Sequence, residues 1–259
     1  MTNPFAIARG EAPSRPKAAL NYLLVCALVL VGLWAALGAL DYQMDFSFVD
    51  GVSSRIGAGF VMTLEISAAS LVTSLLVGAL VAAGRGCRVL PVRYLCDLYV
   101  RIIRGTPLIM QIYLFYYIIG TALGMEDRFW AGVLILSGFE GAYIAEILRG
   151  GLISIDATQR DAARAVGFTR AQTLRHVILP QMVARTLPAL TGQFASIVKD
   201  SSLLSLIAVV ELTQTMREIS AANFRLFECY FLLGILYLVI TLPLDAVGRY
   251  FERRFDFEH

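Results

Sequence analysis

Six stretches of the chain read as apolar runs of roughly the twenty residues a helix needs to cross the hydrocarbon core of a bilayer. They cover residues 20–40, 57–83, 106–123, 129–148, 186–210 and 229–247. Between the fourth and fifth the pattern changes. Residues 150–185 are polar and rich in arginine, yet they carry the punctuation of folded helices. Asp156 suits an N-cap, with Gln159 three residues on as its reciprocal partner. Gly167 stands where a left-handed residue would end that helix. Thr169 with Gln172 repeats the capping box and opens a second helix. Pro180 falls where that second helix should stop or bend. The pattern predicts an all-α, polytopic membrane protein with a helix-Gly-helix element on its surface, either docking a partner or lying on the membrane.

Composition agrees with the spans. Of 259 residues, 58% are hydrophobic and 16% charged, against roughly 25% charged in soluble domains. The net charge of +2 says little; its distribution says more. Arg9, Arg15 and Lys17 precede the first span, and Asp41, Asp45 and Asp50 follow it. Arg85, Arg88, Arg93, Arg101 and Arg104 precede the third, with Glu126 and Asp127 after it. Arg149, Arg160, Arg164, Arg170, Arg175 and Arg185 fill the loop after the fourth, and Arg249, Arg253 and Arg254 end the chain. By the positive-inside rule both termini and the loop 150–185 are cytoplasmic. This predicts a cytoplasmic segment 1–19, an extra N-terminal transmembrane helix 20–40 and a membrane domain 57–250. Leu37-Gly38-Ala39-Leu40 is a poor cleavage site, so the first span is expected to stay attached.

Several chemistries are excluded or disfavoured. Cys26, Cys87, Cys96 and Cys229 form no CxxC pair, and His176 and His259 are the only histidines, so neither a disulfide framework nor a zinc site is expected. No phosphate loop, HExxH or GxSxG is present, so the chain is not expected to be an enzyme or to bind a nucleotide or metal. No basic stripe interleaved with aromatics points to nucleic acid.

Three polar features fall inside the spans. In Arg104-Gly105-Thr106-Pro107-Leu108-Ile109-Met110-Gln111, Gly105 breaks any preceding helix, Thr106 is a good cap and Pro107 suits the first helical position. A helix start there could hold a carboxylate, or be an ordinary cytoplasmic helix start with a snorkelling Arg104. Lys199-Asp200-Ser201-Ser202 lies deep in the fifth span. Charges at that depth usually face a cavity or protein; Asp200 or Ser201 could cap a second half-helix near Leu203, or the charges could pair with another helix. Glu140, in mid-span, has no local partner and could meet a substrate ammonium or Lys199, whereas Glu146 and Arg149 should pair as helical neighbours. Glu65 reads as an exposed or interfacial acid.

These strings together resemble the permease subunits of ATP-binding-cassette importers, of the polar amino-acid type. The family's cytoplasmic loop reads Glu-Ala-Ala, three residues, Gly, nine residues, Ile, one residue, Leu-Pro. Here Asp161-Ala162-Ala163, Gly167 and Val177-Ile178-Leu179-Pro180 keep that spacing, with Asp161 for Glu and Val177 for Ile. Arg104-Gly105-Thr106-Pro107-Leu108, Gly141-Ala142-Tyr143, Arg149-Gly150-Gly151 and Lys199-Asp200-Ser201-Ser202-Leu203 match the amino-acid branch. The resemblance implies a five-helix core after one extra helix, in the bacterial inner membrane. It implies a second permease, identical or homologous, ABC ATPase subunits that bind ATP and magnesium, and a soluble binding protein delivering an amino acid. The loop becomes a coupling helix, with Asp161, Ala162, Ala163, Arg164 and Gly167 as its ATPase-docking residues. Arg104, Thr106, Gln111, Glu140, Lys199, Asp200, Ser201 and Ser202 become pathway candidates. Alternatives are an importer permease for another small solute, such as an opine, and an ion-coupled secondary transporter.

Overall fold

A computed structural model describes residues 14–39 and 42–255. Most of the expected segment 1–19, with Arg9, and also Asp41 and His259 lie outside the described residues. All described secondary structure is helical.

The chain divides into two units, the first ending at Phe46. Its helix α1 (Arg15–Ala39) is apolar all round, with Leu28 and Trp34 about three-quarters exposed. A helix without a polar face needs hydrocarbon or protein around it, and α1 is long and apolar enough to cross a membrane.

The second unit is built around α2 (Val49–Arg85) and α5 (Arg128–Ile153). At 37 residues, α2 is about 55 Å long, more than a bilayer core requires. The two helices approach through glycines. The Val77 side chain fits against Gly141, and Ile144 fits against Gly78, where a methyl group would come within 2.5 Å of Ile144. In a lipid solvent such close packing of small residues holds helices together, because apolar burial alone gives little. Thr63, Ser67, Ser70 and Ser74 continue the small stripe along α2, all buried.

After Arg85 the chain forms α3 (Leu90–Gly105), α4 (Leu108–Tyr113) and a π-helical stretch, Leu114–Gly120. The expected third span, 106–123, thus begins at a 113° bend between α3 and the helix Leu108–Gly120. Gly105 ends α3, as read from the sequence, whereas Pro107, expected at the first helical position, stands one residue before it. The capping role given to Thr106 is wrong. Thr106 follows the end of α3, its hydroxyl donates to the Ile102 carbonyl at 2.8 Å, and Pro107 occupies the cap position of α4. Buried Gln111 then pins the bend, donating to the Ile103 carbonyl at 2.8 Å and to the Thr106 hydroxyl at 2.7 Å.

The fifth expected span is α8 (Leu179–Asp200), which packs against α5 and against α10 (Leu226–Phe255), the sixth. It is too polar to qualify by apolarity alone, because Arg185, Gln193, Lys199 and Asp200 lie along it. Pro180 neither stops nor ends its helix. The π-helical turn Leu174–Ile178 lies just upstream and Pro180 sits in the first turn of α8, where its missing N–H costs nothing. Beyond Asp200 the backbone tightens into a 3₁₀ stretch, Ser201–Ile207, and α9 (Leu212–Asn223) follows. Neither Asp200 nor Ser201 caps a half-helix. Asp200 makes no capping bond, and the Ser201 hydroxyl turns back to the Val198 carbonyl at 2.8 Å.

Candidate coupling surface and mid-membrane polar sites

The polar loop folds as α6 (Ala157–Ala165) and α7 (Arg170–Thr173), the latter running on through the π-helical turn into α8. Asp156 caps α6, accepting from the Thr158 N–H at 3.0 Å. That bond to the charged form holds its carboxyl below the usual range. The reciprocal half of the expected box is absent, because Gln159 instead accepts from Gln181 of α8 at 3.4 Å. Gly167 ends α6 with φ +84°. The Phe168 N–H reaches the Ala163 carbonyl at 3.0 Å and the Gly167 N–H reaches Arg164 at 2.9 Å, which satisfies two otherwise orphaned carbonyls. Thr169 and Gln172 form the predicted capping box, with bonds of 2.8 and 3.3 Å.

This geometry turns two kinds of side chain outward. Asp161 and Arg164 are about three-quarters exposed and 3.5 Å apart. Val166 is 72% exposed, an apolar residue at a polar helix end. Ala162 is exposed, and only Ala163 is buried against the protein. Val166 was not among the residues selected from the sequence; its signal was an apolar residue directly before the turn glycine. The element is braced from behind. Arg160 donates to the Leu152 carbonyl at the end of α5 at 3.5 Å, and Arg185 of α8 donates to the Ser154 carbonyl. With the Gln159–Gln181 bond, these ties join α6 to the end of α5 and to α8.

The mid-membrane candidates separate into three places. Toward the C-terminal end of α5, Glu146 gathers Arg149, Arg85 at 2.5 Å and Arg104 at 3.8 Å, while Arg85 also holds Asp97 at 2.6 Å. The Arg104 guanidinium lies 5.3 Å from the centre of the Tyr143 ring, a cation–π distance. Arg104 is therefore part of a charge network as well as part of the bend. Thr106 and Gln111 are occupied by the bend itself.

Glu140 is fully buried on α5 and accepts from the Gln193 amide of α8. Its other oxygen meets no N–H donor among the described residues, and the Asp200 carboxyl lies beside Glu140 within hydrogen-bonding reach. The suggested Glu140–Lys199 pair does not form among the described residues, because adjacent helical residues point about 100° apart and Asp200 is the one turned toward Glu140. Lys199 and Ser202 instead line a separate open concavity with Thr213 and Tyr237. Ser201 is buried. The sequence reading missed Glu211, fully buried at the start of α9, which accepts from the Thr213 and Gln214 N–H groups at 2.8 and 2.7 Å and from the Tyr237 hydroxyl at 3.1 Å. These bonds give it a structural capping role. Glu65 is exposed, as expected.

Comparisons with known proteins agree with this architecture. Residues 74–257 match the family described as binding-protein-dependent transport system inner membrane component. The chain is 37% identical over 214 residues to the glutamine transport system permease protein GlnP of Escherichia coli (strain K12), covering 82% of this chain and 98% of that one. It is 33% identical to the L-cystine transport system permease protein TcyB of Bacillus subtilis (strain 168), covering 79% and 89%. Among solved structures, an amino acid ABC transporter with histidines superposes with a TM-score of 0.76 at 33% identity, covering 82% of this chain and all of that one. The methionine transporter MetNI, at 20% identity and a TM-score of 0.60, shares the fold. With the bent third span, the braced surface element and these matches together, the chain belongs to the family of binding-protein-dependent transport system inner membrane components, the permease subunits of ABC importers.

Proposed function

We propose that the chain forms half of the translocation pathway of an importer for polar or charged amino acids, and that α6 couples this pathway to an ATPase subunit. The observation that carries the reading is α6 itself. It is capped at both ends, braced against α5 and α8, and presents Asp161, Ala162, Arg164 and Val166 outward. An element so ordered, with its charge and apolar surface turned to solvent, suits a groove on another protein. Asp161 offers its carboxylate to a basic group of the ATPase, exposed Ala162 allows close approach, and Gly167 sets the angle of the element; Ala163, expected to dock as well, is buried and instead lets α6 lie close against its own chain. ATP and magnesium belong to the ATPase subunits. Their closure draws two docked permeases, identical or homologous, together and turns the pathway outward toward a soluble binding protein; hydrolysis resets it. Both termini and α6 face the cytoplasm.

The amino-acid class is supported by relatives named for glutamine, arginine and L-cystine transport. Within this chain, Glu140 and Asp200 supply carboxyl groups at membrane depth and Lys199 and Ser202 bring polar groups to an otherwise largely apolar concavity, so an ammonium and a carboxylate could be met at different points along the route. Co-purification with the ATPase and binding protein, followed by ATPase assays over a panel of amino acids, tests the assignment. One or a few polar amino acids should stimulate hydrolysis. Transport by the purified chain alone, driven by an ion gradient, would contradict it.

A further inference from the structure

The second unit holds a cleft that the proposed coupling and pathway roles leave unassigned. Where α2 and α5 end, α3 passes beside both and leaves a cleft of about 390 Å³. Ala82, Leu152 and Ile153 give it apolar walls, and Arg85, Arg93, Arg149 and Asp97 its polar ones. Asp97 is taken by Arg85, and Arg149 is held by Glu146. Arg93 is exposed and has no hydrogen-bond or ion-pair partner among the described residues. Three guanidinium groups thus face the cleft against one carboxylate, and one of the three is unmatched. The cleft calls for an anion.

The flanking surface says which kind. On α3, next to Arg93, Leu90, Tyr94 and Leu98 are each more than half exposed, and so is Ile153 at the rim. A helix with leucine and tyrosine on one side and arginine at its margin lies at a membrane interface, its apolar side in the acyl region. A soluble anion would leave that surface bare, whereas a phospholipid covers both parts. Basic pockets between helices at the membrane surface suit anionic headgroups, and arginine presents a planar fork to phosphate oxygens.

We propose that this cleft binds an anionic phospholipid, with the headgroup phosphate against Arg93 and Arg149 and the acyl chains along the Leu90, Tyr94 and Leu98 side of α3. Arg85, tied to Asp97 and Glu146, shapes the floor. The bound lipid then fixes α3 against the ends of α2 and α5, at the base of the Glu146 network.

The test uses the whole importer complex in detergent, titrated with palmitoyl-oleoyl phosphatidylglycerol or the matching phosphatidylcholine, with bound lipid counted by native mass spectrometry. The phosphatidylglycerol should bind more tightly, and Arg93→Gln should weaken it about fivefold, the equivalent of one interfacial arginine. Phosphatidylcholine binding should not respond. Arg93→Gln is the decisive variant because its side chain supports no other contact; Arg149→Gln should weaken binding similarly, and Arg249→Gln, at another place on the chain, should not. Equal binding of the two lipids, or unchanged phosphatidylglycerol affinity in Arg93→Gln, overturns the proposal. Displacement of the lipid by an equal concentration of inorganic phosphate would assign the site to a soluble anion and overturn it too. So would binding seen only after the ATPase has dissociated, which would make the cleft part of the ATPase interface.

Discussion

Two groups of charges on this molecule have opposite surroundings. Toward the C-terminal end of α5, Glu146 is about one-quarter exposed and three arginines converge on it. On α6, Asp161 and Arg164 form one 3.5 Å pair with most of each side chain in solvent. An exposed pair of that kind stabilises a fold by at most about 1 kcal/mol. Removing one partner of a mostly buried cluster costs several times more, because the charges left behind stay desolvated. The contrast separates charges that hold the protein together from charges left available to a partner. Glu140, six residues before Glu146 on the same helix, belongs to neither class: it is buried, has one amide donor, and faces a second carboxyl, Asp200, instead of an arginine.

Glu146→Ala should have the largest effect on the fold. It leaves Arg85 with Asp97 alone and removes the partner of half-exposed Arg149, and should cost about 2 kcal/mol, seen as a lower thermal midpoint and a poorer yield of monodisperse protein. A midpoint equal to wild type would erase the distinction between the clusters. Asp161→Ala should leave the midpoint alone, yet lower uptake by about tenfold, the equivalent of one lost charge-assisted contact of roughly 1.5 kcal/mol. Gly167→Val should act in the same direction by straining a left-handed turn, and normal uptake by both variants would remove the docking role. Glu140→Gln with Asp200→Asn sharpens the third class. The proteins should insert and fold, with apparent affinity for at least one amino acid changed several-fold, and unchanged kinetics across the panel would make both residues structural. The smallest effect belongs to Asp156→Ala, which should speed amide exchange at Thr158. Because Asp156 titrates lower in the folded protein than in the unfolded chain, its contribution is complete above the ordinary carboxylate range and is lost as pH falls through it. Protection at Thr158, corrected for intrinsic exchange, should therefore differ between wild type and variant at neutral pH and converge in acid.

What the sequence made legible follows the range of the interactions. Gly167, Asp156 and the Thr169–Gln172 box act within a few residues, so their spacing alone located α6 and α7. The Glu146–Arg149 pair is local in the same way. The Glu140–Gln193 bond joins residues 53 apart, and the Arg85–Glu146 bond residues 61 apart. No periodicity announces either, and the sequence reading accordingly offered Glu140 the wrong neighbour in Lys199. Thr106 was misread for a related reason. Cap preference identifies a helix boundary but not which of two abutting helices the hydroxyl serves, and here Ile102 and Gln111 claim it. Pro180 reads as a stop or a bend in the sequence because the π-helical turn just before it leaves no mark in hydropathy. Apolarity found α2, α5 and α10 directly. It found α8 only approximately, since part of that helix is screened from lipid by α5 and α10.

The most direct test of the coupling claim is the ratio of ATP hydrolysed to amino acid transported, measured for the reconstituted importer with wild-type permease and with Asp161→Ala. The account predicts a ratio raised by about tenfold, with the variant permease still folded and inserted. A wild-type ratio accompanied by wild-type uptake would contradict it.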